Sequence, residues 1–139
     1  MNDEVVVDTD VFSRVVLLSR PSPGYERFVP VLQGVRIVLA AQTVGELLFG
    51  ARSRGWGPTR LQRLDELIAR GAVVPVDRAL TEVWADLTVA CRKRGHGLQG
   101  KLHAADRWIA ATAIHLGIPL VSNDHIFINA PLVNLLQPE

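Results

Sequence analysis

At 139 residues and 48% apolar content, the chain suits one domain with a single core and is too hydrophobic for a disordered segment. A formal net charge of +1 excludes a polycation that binds nucleic acid by bulk charge, and the single cysteine, Cys91, excludes a disulfide framework or a multi-cysteine zinc site. The acidic start Met1-Asn2-Asp3-Glu4 is unlike a signal peptide, and no apolar run approaches the ~20 residues of a membrane span, so a soluble cytoplasmic protein is expected, one domain over residues 1–139.

Val5–Asp8 predicts a buried strand, β-branched and too short for a helix. Val11–Leu18 predicts a helix that Asp10 or Thr9 can cap, with Asp10 the better candidate. Arg20-Pro21-Ser22-Pro23-Gly24 breaks the chain before a second helix, Tyr25–Leu32, which Gly34 closes. Arg36–Ala40 is a second strand. The helix Thr43–Arg52 ends at Gly55-Trp56-Gly57-Pro58, and the helix Thr59–Arg70 ends at Gly71. Ala72–Val76 is a third strand. Asp77 caps a long helix, Ala79–Arg94, which Gly95 closes; Gly95–Lys101 reads as a mobile loop. Leu102–Leu116 is a helix closed by Gly117, Ile118–Ser122 a fourth strand and Leu132–Leu135 a fifth. Strands alternating with helices predict an α/β fold: a central, mostly parallel sheet of four to five strands flanked by helices. Its functional loops belong at the carboxyl ends of the strands.

Four acids can meet at that edge: Asp8 and Asp124 fall at strand ends, and Glu46 and Asp106 lie near the starts of helices that can point there. Each has an ordinary structural explanation. Asp8 can cap a helix, Thr43–Glu46 fits a capping box, Asp106 suits the positive end of a helix, and Asp124 suits a turn. Together they say more. Clustered carboxylates repel unless a cation neutralises them, and hard Mg²⁺ or Mn²⁺ prefers oxygen ligands. Such a site suits metal-assisted cleavage of a phosphodiester. Ser122 can orient a neighbouring carboxylate, and Asp10 can support the ligands.

The segments Val6-Val7-Asp8-Thr9-Asp10-Val11, Thr43-Val44-Gly45-Glu46-Leu47-Leu48-Phe49-Gly50, Asp106-Arg107-Trp108-Ile109-Ala110-Ala111-Thr112-Ala113 and Leu120-Val121-Ser122-Asn123-Asp124-His125-Ile126-Phe127 carry a family resemblance. In order, spacing and total length the chain resembles a PIN domain, and within that group the VapC ribonuclease toxins of toxin–antitoxin pairs. The resemblance implies a three-layer PIN-like fold. It also implies a Mg²⁺-dependent endoribonuclease, with Mn²⁺ as a substitute, that blocks translation. By motif, Asp8, Glu46, Asp106 and Asp124 are its catalytic acids, Asp8 and Asp106 its metal ligands, and Ser122 the hydroxyl before the last acid. Many relatives carry Asn at the position of Asp124 and an acid three residues on, where this chain has Phe127. The resemblance further implies a homodimer, a small cognate antitoxin and a tRNA or rRNA substrate.

Arg52, Arg54 and Trp56 combine cations with an aromatic in a Gly-rich break, as a single-stranded RNA contact would. Inward packing of Trp56 explains the same residues without RNA. His103 can cap or flank Asp106, or touch RNA. Two other functions compete. A haloacid-dehalogenase-type phosphatase would use Asp8 and Asp10 as nucleophile and acid, but it needs a late lysine, and Lys101 is the last one here. A non-catalytic PIN-like binding module would leave the acids as caps.

Overall fold

The computed structural model describes residues 3–138; Met1 and Asn2, read above as part of an acidic start, lie outside them. Five strands form one parallel sheet in the order β3-β2-β1-β4-β5: β1 is Glu4–Val7, β2 Arg36–Ala40, β3 Ala72–Val74, β4 Leu120–Val121 and β5 Leu135–Leu136. The chain starts at the centre, runs out to one edge through β2 and β3, then returns to the other side of β1. That reversal sets the carboxyl ends of β1 and β4 side by side, the place where open α/β sheets bind ligands. The pairing Val7↔Val121 fixes the register, and the Asp8 N–H donates to the Val121 carbonyl at 3.1 Å.

Both sheet faces are covered, which is why the strands carry no polar alternation. The two-residue period of β1 turns Val6 to one side, against Leu87 and Cys91 of α5 (Arg78–Arg94) and Ile109, Ala110 and Ala113 of α6 (Ala104–Leu116). Val5 and Val7 face the other layer. There they meet Val11, Phe12, Phe28 and the buried faces of two helices, Leu47 and Ala51 of Ala41–Ser53 and Leu64 and Leu67 of Pro58–Arg70. Three layers result, as the resemblance implied. Among the described residues no helix is long and apolar enough to cross a membrane.

Local geometry departs from the sequence reading in several places. The helix expected over Val11–Leu18 is a short α turn, α1 (Thr9–Val11), running into a π-helix, Phe12–Val16, in which Leu17 N–H reaches Phe12 O at 3.0 Å. The segment Tyr25–Leu32 is a 3-10 turn, Glu26–Phe28, followed by a single α turn, α2 (Val29–Leu32), with Pro30 in its first turn. Counting onward, Ala41–Ser53 is α3 and Pro58–Arg70 is α4. The third strand stops at Val74 because Pro75 has no N–H for a ladder. The fifth strand lies at Leu135–Leu136, not Leu132–Leu135: Leu132 has φ +68°, a left-handed conformation that no strand accepts. Asp77 and Gly95 bound α5 as expected, the Asp77 carboxylate accepting from Leu80 N–H at 2.9 Å.

Candidate active site

Asp8 is the first residue beyond β1. Its Oδ1 accepts from Val11 N–H at 2.9 Å, so Asp8, not Asp10, caps α1. This corrects the sequence expectation. A cap needs extended backbone, and Asp8 has φ −73° and ψ 170°, whereas Asp10 sits inside the turn. Asp8 Oδ2 accepts from the buried Ser122 hydroxyl, a contact delivered by the pairing of β1 with β4. Ser122 Oγ accepts from Asp124 N–H at 3.0 Å. The Asp124 carboxylate then caps the turn His125–Phe127, accepting from Ile126 N–H at 3.0 Å.

Helix α3 leaves β2 directly, with Ala40 at its cap and no side-chain bond there, so the Thr43–Glu46 capping box does not form. Glu46 instead accepts from the Thr9 hydroxyl at 2.7 Å, and the Thr9 and Thr43 hydroxyls stand 3.3 Å apart. Asp106, in the first turn of α6, has its Oδ2 2.8 Å from His103 Nδ1.

Asp8, Asp10, Glu46, Asp106 and Asp124 line one cleft of about 120 Å³ with Thr9 and Ile109. Among the described residues no lysine or arginine forms a salt bridge with any of these acids. The Asp8 carboxyl is raised to about 6 overall: burial pushes it up most, hydrogen bonds from Ser122 and Val11 pull it down, and the charges of Asp10 and Asp124 add to the rise. A bound cation would relieve that repulsion. Among the described residues no three acidic, histidine or cysteine side chains stand close enough to enclose a bare ion. The donors are nevertheless all hard oxygens around an open cleft. That fits a hydrated Mg²⁺ or Mn²⁺, which keeps several waters and takes only one or two carboxylates directly.

A second cleft of about 410 Å³ shares Thr9, Asp10 and Glu46 with the first and extends to Arg54 and Trp56 over Leu17, Leu47 and Ala51. Trp56 is half-buried against the α3–α4 core, with the Arg60 guanidinium 5.6 Å from its ring centre. Arg52 is exposed and lies outside that lining. His103 makes no side-chain cap to α6; its ring lies on Asp106. The Gly95–Lys101 segment, expected as a mobile loop, is pinned instead. Leu98 is fully buried, and the His96 ring bonds to the Ile128 carbonyl at 2.8 Å.

Two residues escaped sequence reasoning. Thr9, expected as a cap, is Glu46's partner; a hydroxyl beside a strand-end acid is the available signal. Arg107 is 5% exposed in an Ala-rich helix, where an isolated cation stands out.

The PIN domain pattern matches residues 5–132. Ribonuclease VapC4 of Mycobacterium tuberculosis is 29% identical over 133 residues, 94% of each chain. Among solved structures, VapBC2 from Rickettsia felis bound to a promoter DNA fragment aligns with TM-score 0.76 at 18% identity, covering 98% of this chain and 99% of that one. VapBC-5 from Mycobacterium tuberculosis, a member of the VapBC family of toxin–antitoxin systems, aligns with TM-score 0.66 at 24% identity, covering 99% and 98%. With the sheet order, the strand-end acids and the pattern match in agreement, this chain belongs to the PIN domain family.

Proposed function

We propose that this protein is a divalent-metal-dependent endoribonuclease, acting in the cytoplasm as the toxin of a toxin–antitoxin pair and stopping translation. One observation carries the reading: carboxylates from distant chain segments line a single cleft at the sheet's switch point, and among the described residues no lysine or arginine pairs with them. Likeness to a named ribonuclease over 94% of both chains supports RNA as the substrate class.

Asp8 and Asp106 would hold Mg²⁺, or Mn²⁺ in its place, with Glu46 and Asp124 completing the acidic wall. When bound, the ion supplies charge neutralisation at the phosphate and a lowered pKa for the attacking water. The chain's own part is positioning. Ser122 keeps the Asp8 carboxylate aimed, Thr9 keeps Glu46 aimed, and Asp10 adds negative charge beside both. The adjoining cleft leads away from the acids toward Arg54 and Trp56, and with exposed Arg52 it offers phosphate and stacking contacts to an unpaired RNA segment. A loop of tRNA or rRNA supplies such a segment. The toxin would form a homodimer and pair with a cognate antitoxin, the latter supported by likeness to VapBC toxin–antitoxin structures.

The test is cleavage of a single-stranded RNA oligonucleotide by purified protein. Cleavage with Mg²⁺ or Mn²⁺, loss in EDTA and loss in Asp8→Asn are expected, with 5′-phosphate and 3′-hydroxyl ends. Undiminished cleavage in EDTA with 2′,3′-cyclic phosphate ends would sink the metal reading. RNA binding without cleavage under all conditions would leave a binding module.

A further inference from the structure

We propose that His103 is a positioning residue for Asp106, held in register by the buried Arg107; the idea rests on the metal-dependent nuclease reading above. Arg107 follows Asp106 in α6 but points away from water: it is 5% exposed and has no carboxylate partner among the described residues. Burying a guanidinium this way is costly unless its donors are used. Arg107 Nη1 donates to the Leu98 and Gly100 carbonyls, each at 2.7 Å, and the guanidinium carbon lies 5.0 Å from the Trp84 ring centre. Trp84 is itself stacked on Trp108 at 5.1 Å.

The Gly100 carbonyl is the shared element. It accepts from Arg107 and also from the His103 backbone N–H at 3.0 Å. A Cβ added at Gly100 would stand 3.6 Å from His103 Cδ2, so the imidazole lies along this backbone. Upstream, His96 ties the segment to Ile128 and accepts from Leu98 N–H at 3.1 Å. The 3-10 turns Gly97–Gln99 and Lys101–His103 are therefore fixed at both ends before His103 presents Nδ1 to Asp106 Oδ2. One carboxylate oxygen is occupied by the ring. The other remains for a cation, and the bond holds the carboxylate in one orientation, as partners behind metal ligands do.

A pair of isosteres separates this role from RNA contact. In Asn the amide nitrogen occupies the place of histidine Nδ1; in Gln it reaches the place of Nε2. The experiment compares wild type, His103→Ala, His103→Asn and His103→Gln. Mn²⁺ affinity is measured by calorimetry on metal-free protein, and kcat and KM on a single-stranded RNA oligonucleotide. His103→Ala should weaken Mn²⁺ binding about 10- to 100-fold and lower kcat with KM unchanged. His103→Asn should restore most of both, and His103→Gln should stay with Ala.

A rise in KM alone, or rescue by Gln and not Asn, would overturn the proposal and assign Nε2 to RNA. Arg107→Lys keeps a charge but cannot reach two carbonyls and cover the indole, so it should weaken Mn²⁺ binding too. Wild-type affinity in a folded Arg107→Lys protein overturns the Arg107 half; if that variant does not fold, the His103 series still decides. If wild type binds Mn²⁺ and cleaves RNA while every variant matches it, only the positioning role falls. If wild type does neither, the nuclease reading falls and takes this one with it.

Discussion

Asp8 does two jobs with two oxygens: one caps α1 and the other is held by Ser122, while the whole group is buried between like charges. Its pKa of about 6 against an ordinary 3.8 has a definite sign in stability. Between about pH 4 and 6 the folded chain binds more protons at Asp8 than the unfolded chain, so metal-free stability falls as pH rises through that window, by up to about 3 kcal/mol from this group. Asp8→Asn removes the charge and keeps the shape. In EDTA, its melting point should match or exceed wild type at pH 7.5, and the excess should vanish near pH 4. A mutant that melts far lower at both pH values would make Asp8 a structural capping residue first. At this scale the identity of the acids was legible from the sequence, because a carboxylate among apolar neighbours needs a reason. Their partners were not: Thr9 and Glu46 are 37 residues apart, and only folding makes them neighbours.

Elements were legible where one local signal dominated. Asp77, Gly95 and Gly117 bound their helices where expected, since a cap needs only nearby N–H groups or a left-handed glycine. Where packing chose between local options, the sequence was ambiguous. Val11–Leu18 has an apolar helical pattern, yet the buried side chains of Val11 and Phe12 accompany a π turn rather than a regular helix. Gly71 illustrates a requirement that no pattern announces. It marks the end of α4, as read from sequence, but a Cβ there would stand 2.6 Å from the Ile37 carbonyl, so β3 reaches β2 only past a residue without a side chain. Gly71→Ala should therefore cost about 2–3 kcal/mol in urea unfolding. Removing a helix cap by Asp77→Ala should cost about 1 kcal/mol. Equal losses would mean the backbone yields at Gly71.

Across the whole molecule, strand order does the functional work. The reversal at β1 leaves a notch between β1 and β4, where Asp8 meets the Ser122–Asp124 segment although 114 positions separate Asp8 from Ser122. A site that repels itself should gain from a cation. Mn²⁺ at about 100 times its dissociation constant should stabilise the fold by about 2.7 kcal/mol. Thermal unfolding with and without the ion reads this as a rise of several degrees in wild type and a smaller one in Asp106→Asn. An identical shift in both would place the ion elsewhere.

Sequence was enough for the alternation of strands and helices, for the helix ends at Asp77, Gly95 and Gly117, and for which acids were candidates, because these follow from periodicity and residue type over a few neighbours. Tertiary structure alone decided which oxygens were already bonded, that Thr9 and His103 hold two of the acids, and that Arg107 lies buried beneath the loop. Those outcomes depend on strand register and on how far each helix starts from its strand, and both are settled by packing between distant segments.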